Sequence, residues 1–212
     1  MLDVKYAAAM DERERELRRA DLDVDPVRQF GDWYEHARAS GVPMPEAAAV
    51  ATASPDGRPS SRMVLLKSFD REGFMFATNY ESRKGVELAE NARAAMLFYW
   101  HPLGRQVRVE GRVERASPQE SDAIWLDRPR ASRISALASR QSAVGERAAL
   151  ESRVRELEAE YADREVERPD WWGGYRLVPD ELEFWQHREN RLHHRFRYRR
   201  RGDAWEIDEL QP

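Results

Sequence analysis

Short apolar runs separated by tight-turn signals constrain this chain more than any other feature. Ala49-Val50-Ala51-Thr52 is followed by Ser54-Pro55-Asp56-Gly57, and Arg62-Met63-Val64-Leu65-Leu66-Lys67 by Asp70-Arg71-Glu72-Gly73. Phe74-Met75-Phe76-Ala77-Thr78 comes next. Runs of this length with Pro, Asp and Gly between them predict an antiparallel meander, with residues 62–67 as its middle strand. Two more strands are expected at 93–100 and 106–115, joined by His101-Pro102-Leu103-Gly104. The pattern resumes at 171–177 and 183–185, with Pro179-Asp180 read as a turn between them. A last hairpin, 196–199 with 205–207, turns around Arg201-Gly202-Asp203. Short strands with short connections predict a closed or nearly closed antiparallel, Greek-key-like barrel. The fold class is mainly β with flanking helices (α+β).

The helices announce themselves by their caps. Asp25-Pro26 opens one in which Val27, Phe30, Trp33, Tyr34 and Ala37 recur at helical spacing, and Gly41 ends it. Residues 81–91 form a second, with Ser82, Arg83 and Lys84 in its first turn. Ser117-Pro118-Gln119-Glu120 is a capping box that starts a third, to about residue 127. Residues 128–132 break it. A helical run through Gln141-Ser142 follows, then a charged helix over 146–161 with Leu150, Val154, Leu157 and Tyr161 along one face. Residues 1–20 read as an N-terminal arm and 21–212 as a single domain.

Composition excludes several classes. Hydrophobic residues make up 41 % of the 212 and charged residues 35 %, enough for a core in a soluble protein. There is no cysteine, hence no thiol catalysis, thiolate metal site or disulfide, in keeping with a cytoplasmic location. A net charge of −4 gives no global basic field for nucleic acid. No apolar run approaches the ~18 residues of a membrane span, and the N-terminus is too charged for a secretory signal. Most of the seven tryptophans are expected in the core or at a subunit interface.

Within that neutral background, cations cluster at strand ends and helix starts: Arg62, Lys67, Arg83, Lys84, Arg128, Arg191 and Arg195. Gln106, Ser132, Gln141 and Ser142 can add neutral hydrogen bonds. A phosphate dianion is bound by such a mixture of charge-assisted bonds and small hydroxyl donors. The same residues could instead form solvated charged faces. Neither a P-loop nor a dinucleotide-binding glycine motif is present. His193 and His194 are adjacent, but His36, His101 and His187 are scattered and no metal-ligand spacing exists, which predicts no metal; no nucleophile elbow exists. His193 is expected to be tied to a neighbouring carboxylate.

In order along the chain, 62–67, Asn79-Tyr80-Glu81-Ser82-Arg83-Lys84, Gly104-Arg105-Gln106-Val107, Arg128-Pro129-Arg130, Ser139-Arg140-Gln141-Ser142, Trp172-Gly173-Gly174-Tyr175 and Glu183-Phe184-Trp185 with Arg191-Leu192-His193 resemble the pyridoxine/pyridoxamine 5′-phosphate oxidase family. The resemblance implies an FMN-binding split barrel and a homodimer with FMN between its subunits. Carried over, the FMN contacts are Arg62, Met63, Val64, Leu65, Ala77, Thr78, Arg83, Lys84, Gln106, Gln141, Ser142, Trp185 and Arg195. Lys67, Arg128 and Ser132 would grip the phosphate of a small substrate. Arg191 and His193 would sit by its reacting carbon, from which hydride passes to the flavin before molecular oxygen reoxidises it and hydrogen peroxide leaves.

The departures fall on the substrate side. Ile124 stands where the family usually has a tyrosine, and Met10, Glu12, Arg15 and Glu16 where its lid has an arginine, a tyrosine and glycines. Met44, His187 and His194 replace other usual residues. A related flavin oxidase of a secondary metabolite such as a phenazine precursor is the second reading. A non-enzymatic binder of FMN or pyridoxal phosphate is the third.

Overall fold

The computed structural model describes residues 16–212. The lid positions Met10, Glu12 and Arg15, and most of the predicted arm, lie outside the described residues. Within the described part of that arm, Leu17 is buried in the core.

The predicted meander is present as β1 (Ala47–Ala53), β2 (Pro59–Asp70) and β3 (Gly73–Asn79). It is followed by β4 (Arg93–Trp100), β5 (Arg105–Arg115), β6 (Trp172–Gln186), β7 (His194–Arg201) and β8 (Ala204–Glu209). The order across the sheet is β3-β2-β1-β4-β5-β6-β7-β8, and β3 also pairs with β6. That pairing closes six strands into the expected antiparallel barrel and leaves β7 and β8 as a flap beyond it. Alternate residues point inward, and Val50, Phe76, Phe98, Val107, Leu177 and Phe184 are fully buried.

Helix α1 (Pro26–Ala39) plugs one mouth of the barrel. Its start is the predicted one: Asp25 Oδ1 accepts the Val27 amide at 2.9 Å, with Pro26 at the first helical position. Phe30 is fully buried against Phe69, Phe74 and Phe98, each ring centroid 4.9 Å away. Burying such a ring contributes about 1.5–3 kcal/mol.

Pro179-Asp180 is not a turn. β6 runs unbroken through it for 15 residues. Proline cannot donate to a ladder, but here it sits at a bulge, where the register with β5 slips between Glu110 and Gly111. Gly111 permits the slip, since a Cβ there would stand 2.0 Å from the Val178 carbonyl oxygen. The bulge also marks a change of neighbour: β6 pairs with β3 through Leu177, then with β7 from Glu181.

The remaining helices are α2 (Arg83–Glu90), α3 (Pro118–Leu126), α4 (Arg130–Ala138) and α5 (Arg147–Glu160). The capping box at Ser117 and Glu120 forms in both directions. Trp125, Ile134, Leu157, Val166 and Trp172 make a second, smaller core under α3 to α5. The helical run expected through Gln141-Ser142 ends earlier, at Ala138, and Ser142 adopts φ 75°. The reason lies in the partners of those two side chains, described below. No helix among the described residues is long and apolar enough to cross a membrane.

Candidate active site

The barrel is split at one seam. β2 and β3 pair only from Leu66↔Phe76 to Asp70↔Gly73, with a bulge between Leu66 and Ser68. Before Leu66, β2 is held by β1 alone; after Phe76, β3 is held by β6 alone. The strands therefore diverge, and a cleft of about 500 Å³ opens between Arg62-Met63-Val64 and Ala77-Thr78-Asn79. Lys84, Gln141, Arg128 and Ser132 line it too, together with Ser135, Ser139, Trp171 and Trp172.

One end of the cleft is cationic by construction. Ser82 caps α2, its side chain accepting from Gly85. Gly85 is required there, because a Cβ would lie 2.1 Å from the Tyr80 carbonyl oxygen. The close approach buries Lys84, which is only 5 % exposed. Its Nζ donates to Thr78 Oγ1 at 2.8 Å and Ser82 Oγ at 3.3 Å, both uncharged. Burial, reinforced by the nearby Arg62 cation, pulls the Lys84 ammonium down to about 8. Such a group gains from any anion that reaches it.

Arg62 is held differently. Its guanidinium donates to Thr52 Oγ1 at 2.6 Å and to Ser60 Oγ, and it lies 3.4 Å from Glu87 Oε2. Glu87 also accepts from Thr52, Ser60 and Arg83 Nε, the last at 2.9 Å. Burial alone would raise this carboxyl; hydrogen bonds from Ser60, Thr52 and Arg83 overcome that and carry it to about 2. Glu87 is thus a fixed anion that aims two cations. It escaped the sequence reading, although it lies four residues after Arg83, the helical ion-pair spacing.

Gln141 and Ser142 leave the helix to reach this end. Thr78 Oγ1 donates to Gln141 Oε1 at 3.2 Å, and the Arg83 backbone N–H donates to Ser142 Oγ at 3.2 Å. Arg83 and Ser142 line an adjoining cleft that shares Asn79 and Gln141 with the first.

The opposite wall comes from the smaller core. The Arg128 guanidinium lies 5.1 Å from the Trp172 ring and 6.0 Å from Trp125. Among the described residues it donates to the Ser132 carbonyl, and its Nε is buried there without a partner. Burial lowers its pKa. Ile124 packs against the same core and offers no polar atom.

The other predicted residues lie elsewhere. Gln106, Trp185 and Arg195 are direct neighbours across β5, β6 and β7, so they share one outward face. Arg195 grips Glu183 through Nε at 2.8 Å. The His193 ring lies 4.5 Å from Trp185, and Arg191 is exposed on the preceding loop. Among the described residues His193 is not tied to a carboxylate: its Nδ1 accepts the Arg188 backbone N–H at 3.1 Å. Leu65 and Lys67 are exposed on β2 and line neither cleft; Leu65 stands opposite Ala47, facing outward. The single chain therefore gathers Arg62, Met63, Val64, Ala77, Thr78, Lys84, Arg128, Ser132 and Gln141, and keeps Gln106, Trp185, Arg191, His193 and Arg195 apart from them.

Comparison with known proteins gives a consistent result. Residues 35–161 match the family model described as pyridoxamine 5′-phosphate oxidase. Residues 172–212 match the pyridoxine 5′-phosphate oxidase C-terminal dimerisation region. A relative from Rubrobacter xylanophilus, named pyridoxine/pyridoxamine 5′-phosphate oxidase, is 54 % identical over 204 residues, covering 93 % of this chain and 94 % of its own. One of the same name from Trichormus variabilis is 50 % identical over 198 residues, covering 92 % of each. Among solved structures, PhzG from Burkholderia lata, in complex with tetrahydrophenazine-1-carboxylic acid, superposes with a TM-score of 0.89 at 36 % identity, covering 94 % of this chain and all of its own. A pyridoxamine 5′-phosphate oxidase-related, FMN-binding protein from Nostoc punctiforme shares the fold, with a TM-score of 0.70 at 19 % identity, covering 88 % of this chain and 97 % of its own.

Proposed function

Because the chain belongs to the pyridoxine/pyridoxamine 5′-phosphate oxidase family, we propose that it is an FMN-dependent oxidase of pyridoxine or pyridoxamine 5′-phosphate, yielding pyridoxal 5′-phosphate and hydrogen peroxide with molecular oxygen as acceptor. One observation carries the reading. Two cations without a carboxylate partner among the described residues, Lys84 and Arg128, line the same cleft. Two phosphates, one from the cofactor and one from the substrate, would satisfy them.

The residues fit FMN: a buried ammonium meeting only hydroxyls, a helix N-terminus beside it, and an edge of β2 freed from β3. When bound, FMN supplies the acceptor for the substrate's hydride and the route to oxygen. The protein's part is to hold and orient. Arg62 and Lys84, steadied by Glu87, Thr78 and Ser82, bind the cofactor phosphate, with Arg83, Gln141 and Ser142 beside them. Met63, Val64 and Ala77 border the rest of the cofactor. Arg128, with Ser132, holds the substrate phosphate; Leu65 and Lys67, exposed on β2, take no part in that cleft within one chain. Arg191 and His193 orient the substrate ring.

The outward face carrying Gln106, Trp185 and Arg195 bears on assembly. In a homodimer it would complete the cleft of a second copy, and the matched dimerisation region supports that arrangement. A second reading, oxidation of a reduced tricyclic carboxylate, is favoured by the likeness to PhzG and by apolar Ile124 in the wall.

The test is optical. The purified protein, offered FMN, should show a flavin spectrum, and anaerobic pyridoxamine 5′-phosphate should bleach it. A spectrum that persists through that addition would refute oxidation of this substrate. Arg128→Ala should raise KM for pyridoxamine 5′-phosphate about 10- to 100-fold while leaving FMN affinity within about threefold. An unchanged KM would favour a substrate without a phosphate.

A further inference from the structure

Residues 187–193 join β6 to β7 through two successive left-handed residues, Asn190 at φ 55° and Arg191 at φ 63°. Neither is glycine, so this backbone is strained and persists only where its surroundings hold it. A backbone bond from the Leu192 N–H to the Glu189 carbonyl, 3.1 Å, closes the turn itself, and a side chain ties the loop's two ends. His193 Nδ1 accepts the Arg188 backbone N–H at 3.1 Å and so ties the end of the loop to its beginning. The His193 ring is itself fixed between Trp185, at 4.5 Å, and His187, at 5.5 Å. His187 Nδ1 is buried without a hydrogen-bond partner, so this ring serves as a packing wedge.

We infer that His193 is a positioning residue, whose ring in its neutral form latches the strained loop that presents Arg191. An Nδ1 that accepts a hydrogen bond carries no proton, so the neutral ring bears its proton on Nε2. Protonating Nδ1 would set one N–H against another and open the latch. The groups that act on the ring are His187, Arg188 and Arg191 on its own loop and Arg195 on β7; Glu189, His194 on β7 and Glu183 on β6 are further ionisable groups of those segments. Glu183 is already engaged by Arg195 and Arg108. Burial, then the charges of His187, Arg191 and Arg195, all lower the pKa of His193. The sign follows: the latch is closed at and above the ordinary histidine range and opens as pH falls through the lowered value. The consequence for substrate rests on the function proposed above; the latch itself does not.

The experiment is a nitrogen-15 NMR titration of the full chain from about pH 8 down to about pH 4.5, across the histidine range. The expected result is an Nε2–H tautomer for His193, titrating below an ordinary histidine, with the Arg188 amide moving at the same midpoint. In His187→Gly both midpoints should rise together. An Nδ1–H tautomer, or an Arg188 amide indifferent to the His193 titration, overturns the proposal. A kinetic arm separates latch from chemistry. His193→Asn keeps an acceptor for the amide, so it should lower kcat without raising KM for pyridoxamine 5′-phosphate; His193→Ala should raise KM about tenfold. Equal rises in KM for the two variants would count against the latch. If the unmodified protein does not oxidise this substrate, the proposed function fails, and the titration still decides the latch.

Discussion

Lys84→Met is expected to do two opposite things: stabilise the flavin-free protein and weaken FMN binding. The ammonium is buried, meets only the hydroxyls of Thr78 and Ser82, and is opposed by Arg62. Methionine fills similar volume without the desolvation cost. A gain of about 1 kcal/mol corresponds to a rise of about 2–4 °C in Tm for a chain of this size. The lost charge-assisted bond to a phosphate is worth about 1.5–3 kcal/mol, or roughly 10- to 150-fold in Kd. Thermal melts of the flavin-free protein and a flavin-fluorescence titration measure the two effects. The unmodified protein should also lose affinity as pH rises above about 8, where Lys84 gives up its proton, and Lys84→Met should not. A variant that loses stability and affinity together would mark Lys84 as a structural residue.

Glu87→Gln is the second large effect, and it falls on stability. Glu87 is buried, accepts from Thr52, Ser60 and Arg83, and faces Arg62. Its folded value of about 2 lies below the usual 4.5. A carboxyl depressed in this way contributes stability that is present above about 4.5 and is lost as pH falls toward 2. The difference corresponds to about 3 kcal/mol at neutral pH. Chemical denaturation at neutral pH should show a loss of that order in Glu87→Gln. The gap between the two proteins should narrow as pH falls below about 4.5 and close only near pH 2. A constant gap across that window would mean that the loss comes from packing rather than charge.

The local rules read well from sequence because they depend on near neighbours. Asp25-Pro26 and the Ser117–Glu120 box act within one helical turn, and both caps form; Ser82, read as part of a first turn, is instead the cap of α2. The first five strands were visible because turn residues and alternating burial are short-range signals. Pro179 was misread for the same reason. As a local signal it says turn; its neighbours β3, β5 and β7 make it a bulge in one continuous strand. Gln141 and Ser142 read as helical because nothing adjacent in sequence reveals that Thr78 and Arg83 claim their side chains.

The sequence by itself determined which side chains are available: cations and small hydroxyls at strand ends and helix starts, in a chain of net charge −4. Their residue types are written in the chain. Only the tertiary structure decided which of them share a cleft. The seam between β2 and β3 opens because each strand takes a different partner past Leu66 and Phe76. Strand pairing is a property of the whole sheet. It put Gln106, Trp185 and Arg195 on another face, and the packing of α2 buried Lys84 away from any carboxylate among the described residues and gave Arg62 its Glu87.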